Sequence, residues 1–236
     1  MRCAGIFSAL GFLILGVATF LAVASLGDGQ WVVAVFSSQN GDQQTTVNFG
    51  CGPLGAGAFV KTPDSTSNTH YEVTEIEERW PILRPFLNPD NRESVTGKST
   101  EELLTNTFKM MISAVVAGGA ACILSIPIVV QQLCGGLSGL PTGVRVSSIL
   151  AAFLGLAAAG LNGASYGIVR TSELRDGFVQ RWDNGSFDAN GRSVSLKAGD
   201  SDAMNAALGG AAFALVGALT ILFCTTCCGG SATKAR

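Results

Sequence analysis

Four long stretches without a charged residue constrain this chain more than any other feature of its sequence. They lie between Arg2 and Asp28, between Lys109 and Arg145, between Arg145 and Arg170, and between Asp202 and Lys234. Each can hold the roughly 20 apolar residues that cross a hydrocarbon core about 30 Å thick. Because they are apolar on every side, they indicate helices surrounded by lipid. We therefore predict an all-α four-helix membrane bundle with spans at 4–26, 108–133, 146–169 and 203–223.

The charged residues orient these spans. All 17 acidic residues fall in the segments 27–107 and 170–202, whereas the N-terminus, the connection 134–145 and the tail 224–236 carry only basic ones. Short basic segments stay on the cytosolic side, so we expect cytosolic termini and acidic segments that are extracellular or luminal, in a plasma membrane or endomembrane. An acidic surface repels phosphate, which argues against a nucleic-acid partner.

The first span has a second interpretation, as a cleaved secretory signal. Arg2 precedes it, and Ala22-Val23-Ala24 near its end resembles a cleavage site. The apolar region of a signal peptide runs about 7–15 residues. The stretch here is longer, which favours a retained helix. Cleavage would leave three spans and an outer N-terminus.

The first outer segment predicts a β-hairpin. Two runs rich in β-branched and aromatic residues, 30–36 and 43–49, flank the pair Asn40-Gly41. Both residues of such a pair tolerate the positive φ angles of a type I′ turn, so we predict a hairpin over 30–51 within a small antiparallel β-sheet. The polar stretch 62–68 is typical of turns. Ser99-Thr100-Glu101-Glu102 forms a capping box, which predicts that the second helix begins before the membrane.

Small residues recur every four positions in the last two spans. They are Ala151, Gly155, Ala159, Gly163 and Gly167 in the third span, and Ala206, Gly210, Ala214 and Ala218 in the fourth. Lipid provides no hydrophobic drive for helix pairing, so close approach over small residues must supply the contacts. We predict packing seams inside the bundle, with a homodimer face as the alternative. Pro127 should kink the second helix unless a neighbour satisfies the carbonyl that it frees.

The sequence offers little chemistry for catalysis. His70 is the one histidine and lies in a polar stretch, and the spans carry no ionisable side chain except cysteine. Asn162 and Asn205 are more typical of hydrogen bonds between helices than of ion binding. We therefore expect no enzyme activity, no catalytic or metal site, no cofactor and no small-molecule substrate.

The positions of the cysteines favour lipid modification over redox chemistry. Cys3, Cys134, Cys224, Cys227 and Cys228 lie at the predicted cytosolic edges of the membrane, where S-palmitoylation is common. Cys224 and Cys227 also form a CxxC pair, so a membrane thiol oxidoreductase is a remote alternative. Cys51 is either a free thiol or bonded to another chain. Asn184 begins an N-glycosylation motif in the second outer segment.

Several of these residues resemble the claudin and peripheral myelin protein superfamily, which includes calcium-channel gamma subunits and amastins. Gln30-Trp31 with Phe36 is similar to the Trp-containing first strand of that family, and Phe49-Gly50-Cys51 stands near the place of its Gly-Leu-Trp and Cys motif. The resemblance implies four helices, cytosolic termini and an outer sheet. Gly-Leu-Trp itself and the second cysteine of the family disulfide are missing, so a barrier or pore function is not carried over.

Two functional hypotheses follow. In the first, the chain is a non-enzymatic protein whose outer loops dock other membrane proteins or further copies of the chain. Trp31, Phe36, Phe49, Gly50 and Cys51 are then the candidate contact residues, since large aromatics are enriched at interface hot spots. An equally weighted interpretation is that the aromatics pack the loop onto the bundle. In the second hypothesis, the chain is an accessory subunit of a larger channel, receptor or bioenergetic complex.

Overall fold

Helices and antiparallel strands make up the fold, as seen in a computed structural model. It describes residues 2–28, 31–40, 43–53, 55–62, 65–69, 100–134, 140–172, 186–189 and 192–228. In chain order these residues form α1 (Arg2–Asp28), β1 (Val32–Asn40), β2 (Gln43–Gly52), β3 (Gly55–Thr62), β4 (Ser65–Thr69), α2 (Thr100–Cys134), α3 (Thr142–Arg170), β5 (Ser186–Ala189), β6 (Arg192–Asp200) and α4 (Asp202–Cys228).

The four helices among the described residues are each long and apolar enough to cross a membrane, which indicates an integral membrane protein. Each contains one of the predicted spans. The second helix begins at Thr100, as its capping box predicts. The fourth continues to Cys228, so the cysteines assigned to the tail lie on the helix.

The chain divides into two compact units. The helical unit comprises Met1–Ala24, Met110–Ala164 and Ala206–Arg236. The sheet unit comprises Ser25–Lys109 and Ser165–Asn205, and therefore includes one end of every helix.

Alanines with a few large apolar side chains form the interior of the helical unit, and many other large apolar side chains face outward. Ala18, Ala158 and Ala214 form one buried cluster, and Leu15, Ala121 and Ile221 form a second. Phe7, Phe20, Phe153, Phe213 and Phe223 are among the large exposed side chains. Packing over small residues with bulky residues toward lipid is the expected arrangement for helices in a membrane.

The helices contact one another in a ring, each beside its neighbours in sequence and α1 beside α4. A Cβ added at Gly217 of α4 would lie 2.9 Å from Leu15 Cγ of α1, and one at Gly5 of α1 would lie 2.9 Å from the backbone oxygen of Gln132 in α2. Between α2 and α3, Ser147 Oγ donates to the carbonyl oxygen of Leu124 at 2.6 Å. The carbonyl that Pro127 leaves without its helical donor is the preceding one, that of Ile123. The Ser147 hydrogen bond therefore joins α3 to α2 beside the proline and does not replace the lost bond.

The sheet unit contains a six-stranded antiparallel sheet in the order β4-β3-β2-β1-β6-β5. Strand β1 lies near the centre and pairs along its length with β2 on one side and β6 on the other. Four strands come from the segment 27–107 and two from 170–202. The β1–β6 ladder thus joins both connections into one sheet.

The predicted hairpin over 30–51 is present, but its register differs from the prediction. The sequence predicts the turn at the Asn-Gly pair 40–41, whereas Asn40 belongs to β1 and pairs with Gln43. Moving the turn by one residue shifts the paired partners by two positions and leaves each residue on the same face, so local alternation cannot separate the two registers. The stretch predicted as a turn at 62–68 also differs, because Ser65–Thr69 is the edge strand β4.

Candidate functional site

The base of the sheet is a buried junction built around Trp31. Its indole Nε1 donates to the carbonyl oxygen of Ser25 at 2.9 Å, and its side chain is fully buried. Ser25 lies in the last turn of α1, whose carbonyls have no partner within the helix. The backbone carbonyl of Trp31 accepts from Ser201 N at 3.0 Å. One residue therefore links the end of α1 to the segment that precedes α4.

Ser201 caps α4 at this junction. Its Oγ accepts from Met204 N at 3.3 Å, and its carbonyl oxygen accepts from Asn205 N at 3.2 Å. A serine at this position satisfies an amide that the first turn leaves open. Met204 is itself fully buried. The start of β1 and the start of α4 are thus fixed together.

Trp31 therefore acts as an internal anchor in this structure. A side chain with no exposed surface offers nothing to a partner, so the interpretation in which the aromatic packs the loop is the one that fits this residue.

The remaining predicted contact residues are placed by the register of their strands. Phe36 pairs with Val47 and Ala34 with Phe49, whereas Gly50 pairs with Val33 and Cys51 with Val32. Successive residues of a strand alternate between the two faces. Phe36, Phe49 and Cys51 consequently share one face, and Gly50 belongs to the other. The side chains of these four predicted residues lie outside the described part of the structure.

The register assigns the strand positions to two faces. One, the apolar face, holds Ala34, Phe36, Val47, Phe49, Val60 and Leu196, together with Ser38, Thr45 and Arg192. The other, the polar face, holds Ser37, Thr46, Asn48, Lys61, Ser195 and Lys197, together with Val33, Val35 and Phe59. The difference in composition between the faces is therefore one of degree.

Arg170 ties the end of α3 to the sheet. Its Nη1 donates to the hydroxyl of Tyr166, its guanidinium lies 5.6 Å from the centre of that ring, and Nη1 is 3.5 Å from Asp200 Oδ2 in β6. Arg170 is half exposed, so water screens much of the ion pair. The contact positions the helix end more than it stabilises the fold.

The predicted packing residues do not all lie in one seam. A Cβ at Gly155 would be 2.9 Å from Ala218 Cβ, and one at Gly210 would be 3.3 Å from the oxygen of Ala18, so both mark close helix contacts. Ala214 is in the buried cluster, and Ala159 packs against that cluster. Gly163 has an ordinary contact with Ala211 at 3.8 Å from its added Cβ, and Gly167 has nothing within 4 Å.

Asn162 and Gln132 are the described residues of the helical unit with buried side-chain polar atoms that have no hydrogen-bond partner. Asn162 lies in the interior of the unit. It is 1% exposed, and its Oδ1 is buried without a hydrogen-bond partner. It lines a narrow crevice shared by all four helices, with Leu15, Thr19, Gly118 and Ala214 among its neighbours. The space is too narrow to admit a water molecule. By contrast, the buried hydroxyls of Ser8 and Thr225 each donate to a backbone carbonyl of their own helix.

The thiols of the CxxC pair differ in exposure. Cys224 is buried and Cys227 is exposed, and neither forms a disulfide. Cys122 of α2 lies 3.9 Å from Thr19 Oγ1 across a helix contact. Among the described residues, no group of three or more His, Cys, Asp or Glu side chains could hold a metal ion.

Other predicted sites lie outside the residues that the structure describes. His70 and Asn184 lie beyond the described residues, as do the side chains of Cys3 and Cys228. Predictions of glycosylation and lipidation therefore stay predictions.

Sequence reasoning missed two parts of this arrangement. The first is the seam of α1, where Gly11, Ala18 and Ala22 are buried against other helices; its signal was a run of small residues at helical spacing. The second is the β5–β6 hairpin, where Ala189 pairs with Arg192 around the sequence Asn190-Gly191. That pair is the same turn signal that identified the first hairpin.

Comparison with known proteins adds no identification: no protein-family model matches the sequence, and no curated protein matches it. The resemblance to the claudin superfamily stays a prediction.

Proposed function

We propose that this chain is a non-enzymatic, claudin-like membrane protein that assembles with other membrane proteins, copies of itself included, through a β-sheet held outside the membrane. In this arrangement both termini are cytosolic, and the segments 27–107 and 170–202 are extracellular or luminal. The membrane is the plasma membrane or an endomembrane.

One observation carries this proposal: two segments far apart in sequence build a single sheet. A connection that only linked two helices would need neither strands nor a shared ladder. The buried junction at Trp31 and Ser201 holds this sheet against the helix ends that belong to the same unit. Such a rigid platform suits a docking role, because preorganised surfaces lose less entropy on binding.

The test is extraction from the native membrane in mild detergent through a C-terminal tag, followed by native mass measurement. We expect dimers or larger arrays of the chain, alone or with another membrane protein. A chain that is monomeric and without partners under conditions that preserve known membrane complexes would contradict the proposal.

A matched pair of variants separates docking from folding. Trp31→Ala should unfold the sheet unit, because it removes a buried aromatic, at a cost of about 3–5 kcal/mol. Ser37→Glu, on the polar face, should leave a folded protein. If Trp31→Ala stays folded and loses only its partner, Trp31 is a contact residue and the interpretation as an anchor is wrong.

Orientation is tested separately. Glycosidase treatment should lower the apparent mass of the protein if Asn184 carries a glycan on the outer side. A membrane-impermeant thiol reagent should label Cys227 only after the membrane is opened. Labelling of Cys227 in intact cells would contradict the proposed topology and indicate the opposite orientation.

An accessory subunit in a larger complex is a second candidate, favoured by one surface of α3. Ala157, Gly160 and Ala164 are exposed there, and a Cβ at Gly160 would meet nothing within 4 Å. Small residues on a lipid-facing surface permit another helix to approach closely. Gly160→Leu should then release a partner held within the membrane. Gly16→Leu is the matched control, because Gly16 is also exposed with nothing within 4 Å, but on α1.

A further inference from the structure

We propose that Ala22-Val23-Ala24, near the end of α1, is a conditional cleavage site for signal peptidase. The three residues match the small-residue pattern of such a site. The fold shields them in the assembled chain, and the peptidase cuts after Ala24 when the end of α1 is released. This inference rests on the orientation given in the proposed function, because signal peptidase acts on the outer side of the membrane.

The helical conformation of α1 keeps the two recognised side chains apart. Signal peptidase reads small side chains at the first and third positions before the bond that it cuts, here Ala24 and Ala22. Residues two apart share one side of an extended strand but lie on different sides of a helix. Here α1 continues as a helix to Asp28, and within it Ala22 is buried whereas Ala24 is exposed. The peptidase therefore cannot read the motif until this part of α1 unwinds.

Packing against α4 covers the motif at Ala22. Its side chain is 1% exposed. A Cβ added at Gly210 of α4 would lie 3.3 Å from the carbonyl oxygen of Ala18 and 3.6 Å from the backbone nitrogen of Ala22. The glycine thus lets α4 lie close to the backbone of α1, and a protease has no access from this side.

Trp31 fixes the residue on the other side of the bond. The carbonyl oxygen of Ser25 accepts from Trp31 Nε1 at 2.9 Å, and both residues are fully buried. The last carbonyls of a helix have no partner within it, and helix ends fray. Loss of Trp31 should therefore release the end of α1, including the bond between Ala24 and Ser25.

Cleavage would make a failure to fold irreversible. Hydrolysis consumes one water: the carbonyl carbon of Ala24 takes the hydroxyl group and becomes a carboxylic acid, and the nitrogen of Ser25 takes the proton and becomes the new N-terminal amine. The cut separates α1 from the rest of the chain, and with it Leu15 and Ala18 of the two buried clusters. Proteolysis of an unfolded state removes it from the folding equilibrium.

Identification of the N-terminus tests the proposal. The full chain with a C-terminal tag is produced in cells that contain signal peptidase, with the proteasome inhibited, and the tagged chains are analysed by mass spectrometry. The wild-type chain should retain α1. Trp31→Ala should raise the fraction of chains that begin at Ser25 by about tenfold or more, because cleavage of a shielded site follows the population of its open form.

A matched variant identifies the motif as the site. Ala24→Leu, added to Trp31→Ala, should abolish the shortened product, because the residue before the cut must be small. Since Ala24 is exposed, the larger side chain does not disturb the packing of α1.

Two glycine variants separate local shielding from a general loss of stability. Gly210→Leu should force α4 away from Ala18 and Ala22 and should also give the shortened product. Gly5→Leu disturbs α1 at its opposite end, where an added Cβ would lie 2.9 Å from the backbone oxygen of Gln132, and should give much less of it. Equal cleavage in both variants would show that any loss of stability exposes the motif, and would overturn the assigned shield.

Two further results would overturn the inference. A wild-type chain that mostly begins at Ser25 would make α1 a removed signal. Uncut chains from both Trp31→Ala and Gly210→Leu, with Cys227 protected from the impermeant reagent in intact cells, would show that the peptidase does not use the motif. Labelling of Cys227 in intact cells would overturn the orientation and this inference together. A wild-type chain that keeps α1 but is monomeric and without partners would contradict the proposed assembly alone.

Discussion

At the scale of single residues, two adjacent glycines of α2 have opposite roles. A Cβ at Gly118 would lie 2.6 Å from Thr19 Oγ1, and that hydroxyl already donates to the carbonyl oxygen of Leu15 at 2.9 Å. A Cβ at Gly119 would meet nothing within 4 Å. Gly118 therefore permits contact between α1 and α2, whereas Gly119 contributes only its helix propensity.

Alanine at these two positions should change stability in opposite directions. Gly118→Ala should cost about 1–3 kcal/mol, as overpacking of a close contact does. Gly119→Ala should stabilise the helix by roughly 0.5–1 kcal/mol, because alanine loses less backbone entropy. Denaturation in detergent, followed by circular dichroism, measures both. Equal effects would mean that α1 and α2 do not approach here.

Asn162 is a buried polar residue whose amide oxygen has no hydrogen-bond partner. A buried acceptor without a donor costs about 1–3 kcal/mol, whereas an apolar side chain of the same shape does not bear that cost. Asn162→Leu should therefore keep or raise the thermal midpoint. Asn162→Asp should lower it sharply, since a buried carboxyl is harder to desolvate. A large loss of stability in the leucine variant would show that the amide is bonded.

At the scale of elements, α2 contains a proline and remains a continuous helix. Pro127 has no amide hydrogen, so its turn loses a backbone hydrogen bond. Ser147 of α3 donates to Leu124 on that turn, and Ser125 Oγ donates to Cys122 at 2.7 Å. Neither acceptor is the carbonyl that loses its helical donor, because an amide at position 127 would donate to Ile123. The two hydroxyls therefore add hydrogen bonds on either side of that carbonyl.

The Ser147 contact should be independent of the proline. Ser147→Ala should cost about 0.6 kcal/mol, the average for hydrogen bonds between membrane helices, both with Pro127 present and after Pro127→Ala, because the restored amide donates to Ile123 and not to Leu124. A double-mutant cycle in detergent measures the coupling. A coupling free energy as large as the effect of Ser147→Ala itself would contradict this explanation.

At the scale of the whole molecule, the β1–β6 ladder joins the two halves of the sequence. It extends from Val32↔Asp200 to Gln39↔Ser193. The capped start of α4 and the Trp31 junction add hydrogen bonds at its base. The sheet is therefore shared between the halves.

Two co-expressed fragments, 1–134 and 142–236, should reassemble and co-purify. Leu196→Pro should abolish the complex, because proline removes a donor and is excluded from a central strand. The control is Leu215→Ala, on the exposed side of α4, which should leave the complex unchanged. Co-purification that survives Leu196→Pro would show that the helices alone hold the halves together.

The sequence predicted much of this fold because its strongest signals are local. The charge-free stretches, the capping box at Thr100 and the first hairpin all depend on neighbouring residues. The face on which each hairpin residue lies can also be predicted from the sequence, but the pairing register of the two strands cannot. Of the candidate contact residues, Trp31 has two equally weighted interpretations from sequence, a contact residue or a packing residue, and its burial favours the second. Composition cannot distinguish a buried aromatic from an exposed one.

Local sequence patterns alone establish that four segments are long and apolar enough to cross a membrane, because the cost of placing charges in hydrocarbon applies to each span separately. Only the folded chain shows which small residues touch, that β6 pairs with β1, and that Trp31 is buried. Those contacts form between residues distant in sequence, and their free energies depend on distances and partners that no local pattern contains.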